Sequence, residues 1–279
     1  MAYKSLFTVM TDVKHGDLVL EQGIELARSG DAHFDVLCLG VDRTQTGYYY
    51  AGANAMVLQE TITRAQEEGA EVETYAKERL GRSDIRWGAE VGVAQLADIG
   101  RHIAARARFA DLTIMPQPYG KDRGAELEPI LEAALFEGHS PVLLLPDNAA
   151  PVTAPKVVSI AWNESPEAMS AVRAAMPFLQ AADEVHVVII NPPAHGPNRS
   201  DPGGLLSQYL ARHGVRTEIE VLAKTLPRVS DVLLRHADDA NVELIVMGAY
   251  GHSRFREAIL GGATRHMLEK ADVPVFMAH

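Results

Sequence analysis

Residues 244–268 read LIVMGAYGHSRFREAILGGATRHML, which places a strand, a glycine-rich turn and a helix in immediate succession. The first residues form a short apolar run of the kind found in buried strands. Gly248 and Gly251 follow, then nine residues, then Gly261 and Gly262 before a helical pattern. Glycines at such a turn let a ligand approach the backbone, and the first N–H groups of a helix have no partner within it. The turn is therefore a candidate anion site.

The start of this helix attracts anions by its own geometry. It carries an effective charge of about +0.5, which favours phosphate oxygens without any lysine. In open α/β sheets, ligands also bind at this place, beyond the carboxyl ends of the strands. Spacing alone leaves a structural role for the glycines equally open, because glycines are common in turns and helix caps.

The strands of this half recur in the same order in the first half of the chain. The matching pairs are residues 4–9 with 156–161, 33–39 with 184–190, 110–115 with 242–247, and 141–145 with 274–277, with fainter third strands near 85–91 and 215–222. The strands are short, rich in β-branched residues and separated by helical patterns, which is typical of buried parallel strands joined by crossovers. Each half is therefore predicted to be a five-stranded open α/β sheet.

The repeat also predicts the domain boundaries. Residues 147–155, DNAAPVTAP, interrupt the pattern and separate a first domain at 1–148 from a second at 154–279. The offset between matching strands falls from 152 residues at the first strand to 132 at the fourth, so the second half has a shorter second crossover. A long helix near 53–80 in the first half corresponds to a short one near 205–212.

The glycine-rich stretch closely resembles the signature of the universal stress protein family, which is Gly, two residues, Gly, nine residues, Gly and a small hydroxyl residue. Residues 159–168, SIAWNESPEA, resemble the family's first strand and following turn, where Asp-Gly-Ser is usual. The resemblance covers both halves. It implies two Rossmann-like domains of the adenine nucleotide alpha hydrolase type, packed as an internal pseudo-dimer through their fifth strands.

The resemblance also implies a site for ATP, or for AMP after slow hydrolysis, in the second domain. Magnesium is compatible with this site, whereas flavin and NAD are not expected. The expected nucleotide-binding residues are Ala161, Trp162, Asn163, Ile190, Gly248, Gly251, His252, Arg254, Gly261, Gly262, Ala263 and Thr264. Trp162 fits adenine stacking or a core contact, and His252 and Arg254 fit phosphate contacts or a solvated loop.

Two residues depart from the family pattern. Glu164 stands where a glycine is usual and brings a carboxylate toward the expected phosphates. Gly262 stands where a hydroxyl residue is usual, although Thr264 offers a hydroxyl two residues further along, inside the helix. These departures keep a second hypothesis open, in which the protein is a nucleotide-free small-ligand or protein-interaction module of the same fold.

The first half departs much further from the pattern. Its loop, residues 116–129, reads PQPYGKDRGAELEP, in which only Gly120 matches a loop glycine. Its first two prolines have no backbone N–H to donate. The negative charges of Glu126 and Glu128 would repel a phosphate. This half is predicted to be a degenerate copy with a structural role.

Composition restricts the remaining function classes. The net charge of -11 without a basic cluster argues against nucleic acid, and no apolar run reaches the ~18 residues of a membrane span. The first twelve residues lack a leader pattern, so a cytoplasmic stress or regulatory protein is expected, with a homodimer compatible. Cys38 lies in an apolar run and is predicted to be a buried hydrophobe.

The motifs that identify dedicated enzymes are also missing from the sequence. It contains no nucleophile elbow, zinc motif or lysine-bearing phosphate loop. No catalytic residue and no metal ligand are therefore predicted, and ATP hydrolysis is expected to be slow at most. An enzyme of a related hydrolase or electron-transfer flavoprotein type rests on analogy of fold alone.

Overall fold

The structure of the chain is a computed structural model that describes residues 2–43, 55–147, 149–192, 201–250 and 262–279. The chain divides into two compact units. The first is Tyr3–Ser140, and the second runs from Pro141 to His279. Within the described ranges, no helix is both long and apolar enough to cross a membrane.

The first unit is a parallel sheet with helices between its strands. Its strands are β1 (Ser5–Met10), β2 (His33–Asp42), β3 (Arg86–Gln95) and β4 (Leu112–Pro116). They pair in parallel in the order β3-β2-β1-β4. Its helices are α1 (Gly16–Gly30), α2 (Ala55–Leu80), α3 (Ile99–Ala107) and α4 (Leu127–Glu132), with a 3-10 turn at Leu96–Asp98 and a π-helical turn at Ala133–Glu137. The long helix predicted near 53–80 is thereby confirmed.

The second unit has the same arrangement and two additional strands. Its strands are β5 (Val142–Leu145), β6 (Val157–Ala161), β7 (Glu184–Ile190), β8 (Thr217–Leu222), β9 (Leu244–Gly248) and β10 (Val275–Ala278). Its helices are α5 (Pro166–Ala174), α6 (Met176–Ala181), α7 (Gly204–Arg212), α8 (Val229–Asp239) and α9 (Ala263–Lys270). The parallel strands pair in the order β10-β9-β6-β7-β8, and β5 pairs antiparallel with β10.

The core of each unit lies between the strands and their helices. The central strands are buried along nearly their whole length, as in β4 and β5, where every residue is buried. Phe178 of α6 meets Phe276 of β10 edge to face, with ring centroids 6.0 Å apart. Burial on both faces explains why these strands read as continuous apolar runs. The predicted α/β class with open, mostly parallel sheets is confirmed.

Candidate functional site

The expected base-binding residues lie at one edge of the second unit's sheet. β6 is the middle strand, and its last residue, Ala161, pairs with Val188 on β7 and Met247 on β9. Because these strands are parallel, their carboxyl ends meet at the same edge. The structure thus brings Ala161, Ile190 and Gly248 to the same edge of the sheet, and their roles in binding stay predictions.

The turn between β6 and α5 is held by its own side chains. Asn163 Oδ1 accepts a hydrogen bond from Ser165 N at 3.1 Å. Ser165 is the N-cap of α5, and its hydroxyl accepts from Ala168 N at 3.1 Å, with Pro166 at the first helical position. Asn163 therefore has a structural role in this turn. Trp162, which donates its backbone N–H to Val188 O, is half-buried beside it.

Glu164 has a backbone conformation that favours glycine. Its φ is +62°, in the left-handed region, and the residue is exposed. A residue with a Cβ pays about 1–2 kcal/mol there, whereas glycine does not. Glu164 therefore has an unfavourable backbone conformation, whereas glycine, the usual residue in the family, adopts it without that cost.

Gly248 has a packing role at the end of β9. A Cβ at this position would lie 2.5 Å from Ala168 N and 2.7 Å from the carbonyl carbon of Glu167. Both are backbone atoms in the first turn of α5, so the absence of a side chain lets this helix start close to the strand. Any contact of Gly248 with a ligand stays a prediction.

The start of α9 lies directly after Gly262. Gly262 is the N-cap, with no side-chain cap, and the helix begins at Ala263. Thr264 is buried, and its hydroxyl accepts a hydrogen bond from Tyr250 N at 3.1 Å. That hydroxyl therefore ties the second residue after β9 to the helix. A helix itself offers no partner to its first N–H groups.

Four of the expected binding residues lie outside the described residues. They are Gly251, His252, Arg254 and Gly261. Their proposed contacts with phosphate stay predictions.

In the first unit, an internal ion pair lies near the start of α4. The Glu126 side chain is 1% exposed, and its carboxylate accepts from Arg43, with Nη2 to Oε1 at 2.6 Å and Nε to Oε2 at 3.3 Å. Arg43 Nη1 also donates to Glu68 at 3.0 Å. The hydrogen bonds with Glu126 raise the pKa of the Arg43 guanidinium above its ordinary value. Glu126, whose negative charge was predicted to oppose phosphate binding, is thus buried and neutralised by Arg43.

A second polar cluster lies in the second unit and was not predicted from the sequence. His186 on β7, Glu220 on β8 and His236 on α8 each offer a ligand atom within 4.8 Å of the others. A histidine in the otherwise apolar run EVHVVII was the available signal. Its partners lie 34 and 50 residues further along the chain, so no local spacing pointed to them.

Comparison with known proteins relates the second half of the chain to a family. Residues 156–279 match the family model described as the universal stress protein family. The second half of the chain belongs to the universal stress protein family. A universal stress protein of Synechocystis sp. is 29% identical over 91 residues, which is 33% of this chain. That match spans 31% of the relative's own length.

Solved structures extend the likeness of fold to both halves. A universal stress protein from Archaeoglobus fulgidus is 17% identical with a TM-score of 0.71, covering 98% of this chain and 96% of its own. A protein described as a putative universal stress protein, from Pseudomonas aeruginosa, is 15% identical with a TM-score of 0.62, covering 99% and 93%. At these identities the likeness establishes fold. It spans both universal stress protein-like halves.

Proposed function

We propose that the second universal stress protein domain, residues 154–279, binds an adenine nucleotide, ATP or AMP, in a stress or regulatory role. One observation carries the proposal. The turn after β6, the end of β7 and the end of β9 lie at the same edge of the sheet. A hydrogen bond from Tyr250 to Thr264 links the residues just after β9 to the start of α9. The start of the helix favours the negatively charged phosphates, and the apolar ends of the strands favour the base.

The adenine base is assigned to the edge formed by β6 and β7. Ala161, Trp162 and Ile190 are half-buried there, so each presents apolar surface that a flat ring covers favourably. Backbone groups near Asn163 would supply the polar contacts. No side chain in this group carries a charge, which fits a neutral heterocycle.

The phosphates are assigned to the start of α9. Gly262 and Ala263 leave the backbone open to an anion, and the helix dipole favours negative charge there. The buried Thr264 hydroxyl fixes the position of this helix start relative to β9. Gly251, His252, Arg254 and Gly261 complete the proposed site.

One nucleotide is expected per chain. In the first domain, proposed as residues 1–148, the Glu126 carboxylate is already paired with Arg43 close to the start of α4. A phosphate there would have to compete with that carboxylate for Arg43. The first domain is therefore assigned a structural role.

Two substitutions at Gly262 test the proposed site. Gly262→Asp supplies a good N-cap for α9 and preserves the fold, but it places a carboxylate at the phosphate position. At ~4 Å and an effective dielectric constant of about 20, two like charges cost roughly 4 kcal/mol, and each 1.4 kcal/mol is about tenfold in affinity. ATP affinity measured by calorimetry should therefore fall by at least about 30-fold.

The matched control is Gly262→Ser, which also caps the helix but carries no charge. It should bind ATP at least as tightly as the natural chain, because it restores the hydroxyl residue usual in the family. Equal losses in both variants would place the phosphates elsewhere. Mass spectrometry of freshly purified, denatured protein should detect ATP or AMP, and its absence together with no calorimetric signal would reject nucleotide binding.

The second candidate function is a nucleotide-free ligand or interaction module. Glu164 favours it, since this carboxylate stands beside the proposed site in place of a glycine. A thermal-shift screen distinguishes the two candidates. Stabilisation by small apolar or acidic metabolites, with none by adenine nucleotides, would support the second.

We also propose that the two domains form an internal pseudo-dimer. The support is the antiparallel pairing of β5, the fifth strand of the first repeat, with β10, the fifth strand of the second. A fragment of residues 151–279 lacks β5 and leaves β10 as an open edge, so it should associate or lose stability. A fragment of residues 141–279 retains β5 and serves as the control.

A further inference from the structure

A compact group of two imidazoles and one carboxylate lies in the second unit. Glu220 Oε1 is hydrogen-bonded to His186 Nδ1 and lies 3.1 Å from His236 Nε2. The two imidazole rings meet edge to face, with centroids 5.6 Å apart. Three potential ligand atoms therefore converge on one point.

The fold brings these residues together by strand register and helix phase. Val188 on β7 pairs with Glu220 on β8, and His186 lies two residues before Val188, so His186 and Glu220 share one face of the sheet. The helix α8 contacts β7, and His236 lies buried in its last turn. The cluster is thus built on regular elements.

The cluster is shielded from solvent. The side chains of His186, Glu220 and His236 are 12%, 26% and 8% exposed. Among the described residues, His186 Nε2 and both ring nitrogens of His236 are buried without a hydrogen-bond partner. Buried polar atoms of this kind are costly, and an additional ligand that engages them removes part of that cost.

The carboxylate of Glu220 lies between two imidazole nitrogens. A cation at that point would contact all three groups.

We propose that His186, Glu220 and His236 bind one divalent first-row transition metal ion, with zinc as the best fit. Two imidazole nitrogens and one carboxylate oxygen form a ligand set that zinc accepts, with a water molecule in the fourth position. Magnesium and calcium prefer oxygen ligands alone, so this set selects against them. The earlier prediction that the chain supplies no metal ligand is thereby revised as a proposal.

A nearby carboxylate stands where it would orient one of the ligands. Glu184 Oε2 lies 3.6 Å from His186 Nε2, the nitrogen on the far side of the ring from Glu220. Carboxylates in this relation fix the tautomer of a metal-bound imidazole and increase its basicity. The proposed ion lies between sheet and helix, so it is independent of the nucleotide proposed at the strand ends.

The test uses the full chain, without a histidine tag and after treatment with a chelator. Calorimetric titration with Zn²⁺ should give one ion per chain and raise the melting temperature. Co²⁺ should give the intense visible absorption of a four-coordinate site. His236→Gln and Glu220→Gln should each weaken Zn²⁺ binding by at least about 100-fold, more than the loss of a merely orienting partner.

The matched control is His266→Gln. His266 is also a buried imidazole beside a carboxylate, with Nε2 3.5 Å from Asp231 Oδ1, but it lies outside the three-residue cluster. This variant should bind Zn²⁺ as the natural chain does. Circular dichroism should confirm that each variant is folded, and the nearly isosteric Glu220→Gln decides the result if His236→Gln unfolds.

Two results would overturn the proposal. The first is no Zn²⁺ binding by the natural chain at micromolar concentrations. The second is binding that survives both cluster substitutions. ATP affinity measured in the same variants keeps the two proposals separate, because cluster substitutions should leave it unchanged.

Discussion

Replacing Glu164 with glycine should stabilise the second unit. Glu164 has a φ of +62°, a conformation that costs a residue with a Cβ about 1–2 kcal/mol. Glycine avoids that cost but adds about 0.5–1 kcal/mol of chain entropy to the unfolded state. The difference is a net stabilisation of about 0.5–1 kcal/mol. For a domain of this size, that corresponds to a rise in melting temperature of about 1–4 °C.

The matched control is Glu164→Ala, which removes the carboxylate but keeps the Cβ and hence the backbone cost. Urea unfolding followed by circular dichroism should show stabilisation for Glu164→Gly and none for Glu164→Ala. Equal effects of the two variants on stability would mean that the side chain, and not the backbone, decides, and the reasoning from φ would be refuted.

The same pair of variants separates charge from space at the proposed nucleotide site. If the carboxylate repels phosphate, both variants should tighten ATP binding, because both remove the charge. A gain confined to Glu164→Gly would assign the effect to the room that a Cβ occupies. Unchanged affinity in both would show that this side chain does not face the phosphates.

Three further predictions follow from packing and burial. Gly248→Ala should destabilise the chain by about 1–3 kcal/mol in urea unfolding, because its Cβ would lie 2.5 Å from Ala168 N. Cys38 is fully buried and burial raises its pKa to about 12, so a thiol reagent should label it only at the rate of unfolding. Arg43→Met should cost about 2 kcal/mol or more by leaving the Glu126 carboxylate buried and unpaired, and adding Glu126→Met should restore part of that loss.

The central elements were predictable from sequence because burial on both faces gives a simple pattern. The predicted second strand of the second half, residues 184–190, is the observed β7, and the first strand differs from β6 by one residue. The sequence pattern of the third strands was weaker for a physical reason. In β8, Glu218 and Val221 are exposed, so the apolar signal of a buried strand is diluted.

The chemistry of the site was less predictable because it depends on contacts across the chain. The hydrogen bond between Tyr250 and Thr264 had no signal in the sequence, since it depends on how the chain returns from β9 to α9. Arg43 and Glu126 are 83 residues apart, and neither forms a local motif. The histidine cluster depends on strand register together with the phase of α8, which a linear pattern does not encode.

The two repeats differ in the residue that stands at the start of one helix. In the first unit, Glu126 stands at the start of α4 and is paired with Arg43. This anion is part of the chain, so it does not lose the translational and rotational freedom that a separate ligand loses on binding. Removing Glu126 would not restore a phosphate site, because Pro116 and Pro118 have no N–H to offer. In the second unit, Gly262 leaves the start of α9 without a side-chain cap. An internal anion thus occupies the helix start in one copy, while the other copy keeps the uncapped helix start to which the proposal assigns the phosphates.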